Sequence, residues 1–282
     1  MILVTTAGKV GAAAAQLLAQ RGEKVRVLVR DPAKGAALAG LGAEVCHADL
    51  GDPAAVDTAM VGVDAVILGS PAVPEQEIGV INSARNHQVG HVVKITSDSS
   101  LDSPIARRRD QAQIEISLTE SGLGYTLLKN NAYMQNFLML APSITSTSAF
   151  DSPTGDGRVG MIDTRDVAAV AAQIATAPVR HNGRTYWPTG PESLSYPDAA
   201  AIFTSVLGRR ISVTPITLEQ QLTTMLAAGV PQVLAEDNGK ALGLFAEGEL
   251  DYITPDVQEV TGRPRRSFTD FVHDYLAAFT SA

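Results

Sequence analysis

A chain of 282 residues, 45% hydrophobic and 18% charged, has globular composition and supports one large core with a smaller module attached, which excludes a long disordered tract. Its formal net charge of -8 repels a phosphate backbone, so neither nucleic acid nor an anionic membrane surface is an expected partner. The single cysteine, Cys46, excludes an intrachain disulfide, no signal-peptide pattern opens the chain, and no apolar run reaches the roughly 18 residues of a membrane span; a cytoplasmic protein with Cys46 as a buried, inert thiol is expected.

Met1 to Val4 read as a strand, and Lys9 to Arg21 as a helix with Val10, Ala14, Leu17 and Leu18 on one face. Short β-branched runs recur at Val25 to Val29, Glu44 to Cys46, Ala65 to Leu68, Val92 to Thr96 and Tyr125 to Leu128, the pattern of buried parallel strands. Helices starting near Pro53, Glu75, Arg107 and Ala132 separate the later ones. This alternation predicts an α/β fold with a Rossmann-type doubly wound parallel sheet over residues 1–145. From Pro142, SITSTSAFDSPTGDGRVG predicts a loop or crossover, after which residues 161–180 return to the sheet through a helix at Asp166 to Ala177. Residues 181–282 form the predicted smaller C-terminal α/β substrate domain. Ser195 caps a helix running through Ala199 to Leu207 there, and Ser267 caps the last one. In that last helix Phe268, Phe271, Val272, Tyr275, Leu276 and Phe279 fall on one stripe, which reads as core.

The segment Thr5 to Gly11, TTAGKVG, places two glycines three apart between strand and helix. Small residues let the backbone approach a pyrophosphate, and the positive end of the next helix attracts its charge. Thr6, Gly8, Lys9, Val10 and Gly11 are therefore cofactor-binding candidates. Arg30 stands 19 residues after Gly11, where an acidic residue would accept the ribose hydroxyl of NAD; with Lys34 it favours a 2′-phosphate, hence NADPH over NADH. The alternatives are that both are solvated, with Asp31 serving a ribose. Asp49 and Leu50 follow the third strand within reach of an adenine, although Asp49 also suits an ordinary turn. Gly69, Ser70 and Pro71 end the fourth strand and Thr96 and Ser97 the fifth, so all border the crevice at the carboxyl edge of the sheet.

No Tyr-x-x-x-Lys pair falls on a predicted helix as in typical short-chain reductases, the one such spacing, Tyr125 to Lys129, coinciding with the sixth strand, and no general acid is evident. After the sixth strand, Lys129, Asn131 and Tyr133 are the candidate catalytic residues, with Asn131, Ala132 and Tyr133 also candidates for the cofactor. Each equally fits a satisfied loop residue. Five histidines lack metal-ligand spacing and no Gly-x-Ser-x-Gly elbow exists, so neither a metal site nor serine chemistry is expected. Arg107 to Arg109 stand at a helix start, where the dipole opposes them; an anion or partner contact competes with a solvated surface.

With these residues placed, the chain resembles the NmrA-like atypical short-chain dehydrogenase/reductases, near the quinone-oxidoreductase and azoreductase-like members. The resemblance spans almost the whole chain. It rests on AGKVG, VRVLVRDPAK and ADLGDP, then on IEISLTESGLGYTLLKNNAYMQNF, RVGMIDTRDVAAVAA, TGPESLSYPDAA and VTGRPRRSFTDFV. It implies NADPH between a Rossmann domain and a small substrate domain, and either reduction of quinone-like acceptors or dinucleotide sensing. By position it implies Gly8 to Gly11 at the pyrophosphate, Arg30 and Lys34 at the 2′-phosphate, and Asp49 and Leu50 at the adenine. Ser70, Thr96 and Asn131 to Tyr133 fall by the nicotinamide ribose and the substrate. Thr5 and Thr6 replace a turn that usually has one more glycine, and Lys129-Asn130 stands where relatives often carry Arg-Pro.

Three functions are thus expected in descending order. The first is an NADPH-dependent oxidoreductase acting on a quinone-like or other electrophilic small molecule; the second is a non-catalytic NADP(H) redox sensor; the third is an isomerase or cyclase using the cofactor structurally. A homodimer is left open.

Overall fold

The computed structural model describes residues 1–69 and 72–280. Strands and helices alternate in the first half: β1 (Ile2–Val4), α1 (Lys9–Gln20), β2 (Val25–Val29), α2 (Pro32–Ala39), β3 (Glu44–His47), α3 (Pro53–Met60), β4 (Ala65–Leu68), α4 (Pro74–Asn86), β5 (His91–Thr96), α5 (Ala106–Thr119) and β6 (Gly124–Lys129). A 3-10 turn, Met134–Leu140, leads into α6 (Ala141–Thr147), β7 (Ala149–Ser152), β8 (Arg158–Val159) and α7 (Thr164–Thr176). Then come β9 (Arg184–Tyr186), β10 (Leu194–Ser195), α8 (Tyr196–Leu207), β11 (Ser212–Pro215), α9 (Leu218–Ala227), α10 (Gln232–Ala246), α11 (Asp256–Thr261), α12 (Phe268–Asp274) and α13 (Leu276–Thr280). Among the described residues no helix is long and apolar enough to cross a membrane.

The main sheet has seven strands in the order β3-β2-β1-β4-β5-β6-β9, every neighbouring pair parallel. This is the doubly wound Rossmann-type architecture, and the order reverses between β1 and β4. Alternation along each strand feeds two layers. Ile2, Val4, Val27, Val29 and Ile67 face α1 and α7, whereas Leu3, Leu28, Val66 and Leu68 face the layer that holds α3, α4 and α5. Burying each such side chain contributes about 1.5–3 kcal/mol relative to leaving it in water. Fully buried alanines at 14 and 15 of α1 and 171 and 172 of α7 supply small surfaces on which these helices pack closely.

A third core belongs to the smaller module. Phe137, Phe150, Phe203 and Phe268 interlock, with Phe137 ring centroids 4.9–5.9 Å from the other three. Edge-on aromatic pairs at this spacing add about 0.5–1.5 kcal/mol each beyond burial.

Several expectations change here. The expected loop after Pro142 is instead α6, β7 and β8, with β7 paired in parallel with β11. Thr145, Ser146 and Thr147 return their hydroxyls to carbonyls four residues back, so a helix hides behind polar composition. The divisions at 145 and 181 do not follow the cores. Phe137 and Ile144 lie in the small module's core, while Arg184–Tyr186 adds the outermost strand to the main sheet. The final helix breaks at Tyr275; its phenylalanines are buried, but Leu276 is exposed. Cys46 is only half-buried; burial pushes its thiol up, so it stays protonated.

Candidate active site

Everything at the carboxyl edge of the sheet converges on the β1–β4 reversal. Thr5 and Thr6 both donate their hydroxyls to the Gly69 carbonyl at 3.0 Å, and the Gly69 N–H donates back to Thr5 at 3.1 Å. These bonds fasten the ends of β1 and β4 together and fix the floor of a cleft of about 840 Å³.

The turn above that floor leaves the helix start open to an anion. Gly8 is the N-cap of α1 and no side chain caps it, in contrast to α2, α3 and α7, each capped by an aspartate. A Cβ on Gly8 would meet nothing closer than the Thr6 hydroxyl at 3.8 Å, so its lack of a side chain is not dictated by the protein's own packing. Gly11 differs: a Cβ there would sit 1.9 Å from the Thr6 carbonyl oxygen. One glycine therefore keeps space clear in the cleft, and the other lets helix and strand touch.

Thr6, Gly8, Lys9, Val10, Gly11, Arg30, Lys34, Asp49 and Leu50 all line this cleft. At its far end Arg30 is 76% exposed and 3.9 Å from Asp49, a separation at which solvent leaves both charges available. Asp31 also lines the cleft, and its carboxylate accepts the Ala33 amide through Oδ1 as the cap of α2. The Asp49 side chain accepts the Gly51 N–H, so the turn reading of that residue also holds. Ser70 and Pro71 lie outside the described residues.

A second cavity of about 560 Å³ adjoins the first and shares Gly69, Ile95 and Tyr133 with it. Thr96, Ser97, Asn131 and Ala132 line this inner cavity, closed on its other side by Phe137, Tyr196 and α10. Thr96 is buried, and its hydroxyl donates to Glu115 at 2.6 Å. Asn131 is tied up: its amide N–H groups reach the Leu250 carbonyl and its oxygen accepts the Ala132 N–H. Burial pushes the Tyr133 phenol up to about 12, so it stays protonated near neutrality and offers a donor rather than a base.

The three candidate catalytic residues thus separate. Asn131 and Tyr133 stand at the cavity wall, whereas Lys129 lines neither cavity. Its ammonium pairs with Glu115 at 3.3 Å, bonds Ser99 at 3.1 Å and lies over the Trp187 ring. Sequence reasoning missed Gln76 in the first turn of α4 and Tyr196 in the first turn of α8, both cavity-lining. Their signal was positional only, a polar or aromatic residue in the same first helical turn as a proline.

The arginine run is not a solvated surface. The Asp237 carboxylate of α10 accepts the Ala106 and Arg107 amides at 2.9 Å each, capping α5 from across the cavity. Arg108 pairs with Glu249 at 2.5 Å and Arg109 donates to the Ser103 carbonyl at 2.7 Å.

A doubly wound sheet with its crevice at the point of strand reversal, joined to a second cavity under a small module, defines a Rossmann-type ligand-binding protein. The NmrA-like family model matches residues 1–260, and the chain belongs to that family. It is 34% identical to the NAD(P)H azoreductase of Xenophilus azovorans over the full length of both. It is 36% identical to the (4-alkanoyl-5-oxo-2,5-dihydrofuran-3-yl)methyl phosphate reductase of Streptomyces griseus subsp. griseus over 99% of each. Among solved structures it resembles the NADPH-dependent quinone oxidoreductase of Escherichia coli complexed with NADPH, with a TM-score of 0.86, 26% identity and coverage of 98% of this chain and 100% of that one. Both full-length relatives are reductases, and the chain is an oxidoreductase.

Proposed function

We propose that the chain is an NADPH-dependent reductase that delivers hydride to a quinone-like or similarly electrophilic small molecule held in the inner cavity. The observation that carries this reading is the uncapped start of α1 beside the open space at Gly8, with Arg30 and Lys34 at the other end of the same cleft. A dinucleotide laid along it would meet main-chain amides with its pyrophosphate and two cations with its 2′-phosphate. Asp49 and Leu50 would flank the adenine, and Tyr133 at the junction of the two cavities would border the nicotinamide.

When bound, reduced nicotinamide supplies a hydride; with one proton this converts a quinone to a hydroquinone. The protein's part is positioning and exclusion of water, since two-electron reduction of such an acceptor asks little of an acid. Tyr133, protonated and shared by both cavities, and Ser97 on the inner wall offer hydroxyls that would hold an acceptor oxygen by a hydrogen bond. Lys129, held by Glu115 and Ser99 behind the wall, is proposed instead to position Thr96 through their shared carboxylate partner. The named activities of the relatives favour an enzyme over a non-catalytic sensor. The proposed setting is the cytoplasm, and light scattering would tell a monomer from the homodimer.

The test is NADPH oxidation measured with a panel of quinones, enones and imines. Acceptor-dependent turnover is expected with at least the quinones. Cofactor binding without turnover of any acceptor would sink the enzymatic reading and favour the sensor.

A further inference from the structure

Of the three consecutive arginines, two are spent inside the protein. Arg108 holds Glu249 and also lies 3.8 Å from Asp98, and Arg109 bonds a main-chain carbonyl. Arg107 is different. It lines the inner cavity, it is half-buried, and its only side-chain partner among the described residues is the Asn238 amide oxygen, at a long 3.5 Å. Among the described residues no carboxylate lies within ion-pair distance of it. The nearby Asp237 carboxylate spends both oxygens on the Ala106 and Arg107 amides, which offsets the charge of the helix start. Asp151, the other unpaired charge on the cavity wall, sits on β7 and is exposed to water.

A half-buried guanidinium in the wall of a cavity that Phe137, Leu242 and Phe245 also line gives up part of its hydration, which is costly unless something compensates it. Its planar fork of N–H donors matches the paired oxygens of an acidic group, with the Asn238 amide as an adjacent donor or acceptor. Arg107 belongs to the first turn of α5, whereas the junction with the cofactor cleft lies at Gly69, Ile95 and Tyr133. A molecule bridging the two would place its reducible part at the junction and an anionic substituent at the arginine.

We propose that Arg107 makes the inner cavity select acceptors bearing an oxyanion substituent, a carboxylate, sulfonate or phosphate, on the side remote from the reducible group. This rests on the reductase reading above and deepens it by naming the acceptor class.

The experiment compares a neutral naphthoquinone with the same ring carrying a sulfonate, using wild-type protein, Arg107→Gln, Arg107→Lys and Asn238→Ala. The sulfonated-to-neutral ratio of kcat/KM is expected to fall about tenfold or more in Arg107→Gln, as the loss of a charge-assisted contact predicts, and to recover in part in Arg107→Lys. The change should lie in KM for the sulfonated ring. A purely structural arginine, holding α10 through Asn238, would instead damage both acceptors alike, in Arg107→Gln and Asn238→Ala together; that result, or an unchanged ratio, overturns the proposal. If wild-type protein reduces neither quinone, the reductase reading has failed, and binding of the sulfonated ring in calorimetry decides the arginine separately. Binding lost in Arg107→Gln supports it, and equal binding by the two proteins refutes it.

Discussion

Gly8 and Gly11 stand in one turn and answer to different demands. Alanine fits at Gly8 as far as the protein is concerned, but its methyl group would project where a diphosphate needs close approach to the α1 amides. Gly8→Ala is therefore expected to melt like wild type while binding NADPH at least about tenfold more weakly, a loss of roughly 1.4 kcal/mol. Gly11→Ala drives a Cβ into the Thr6 carbonyl and should lower stability by about 1–3 kcal/mol in denaturant unfolding. Cofactor specificity is proposed to sit at Arg30, whose partner Asp49, at 3.9 Å and in water, holds it only weakly. Arg30→Ala should lower the NADPH-over-NADH preference in KM by about tenfold or more, given the usual worth of a charge-assisted contact; an unaltered ratio would transfer that role elsewhere.

His91 sets a pH dependence remote from the cleft. The Thr126 hydroxyl donates to the His181 carbonyl, so it must accept from His91 Nε2, which fixes the neutral Nε2–H tautomer. Burial, assisted by the neighbouring His181, lowers this imidazole from 6.5 to about 4. The unfolded chain then takes up a proton that the folded one refuses. The stabilisation is complete above about pH 6.5 and is lost as pH falls toward 4, on the order of 3 kcal/mol in all. Unfolding midpoints measured across that window should decline in wild type and flatten in His91→Gln, which keeps a donor for Thr126 but does not titrate.

At the scale of elements, α9 and α10 are the least anchored part of the molecule. Helix α9 buries no residue and α10 buries only Ala235 and Asp237, yet α10 walls the inner cavity. The Asp237 cap on α5 is thus a principal tie between that wall and the main sheet. Asp237→Ala should cost about 1–2 kcal/mol, as loss of a helix cap does, and speed amide exchange across residues 217–248 while leaving the sheet protected. Unchanged exchange in that segment would show that the latch does not hold it.

Elements differed in how plainly the chain announced them. Most of the six alternating strands were legible as short apolar runs buried on both faces, as Val25–Val29 illustrates, while the edge strand Glu44–His47 is partly exposed and was legible by its place in the alternation. Strand β7 was not, because AFDS holds only one large apolar residue, Phe150, and gains its place by pairing with β11, more than fifty residues onward. Helix α2 escaped because PAKGAALA is small-residue-rich and follows so closely on Arg30; Asp31 and Pro32 start it. In the site, the glycine turn and Arg30 could be read locally. The inner cavity could not, since Arg107, Tyr196 and Asn238 meet only through tertiary packing.

At the scale of the whole molecule, a cleft and a cavity share one junction, built where the strand order reverses and bordered by a module with its own aromatic core. Because the cleft is lined by α1, β1, β2 and β4 together, an occupant should stabilise the main domain by mass action, about 2.7 kcal/mol at a hundredfold excess over Kd. The most direct measurement is calorimetric titration of the wild-type protein with NADPH and with NADH. Saturable binding of both, clearly tighter for NADPH and weakened by Gly8→Ala, is the predicted result; absence of heat from either dinucleotide at millimolar concentration would contradict the assignment of the cleft.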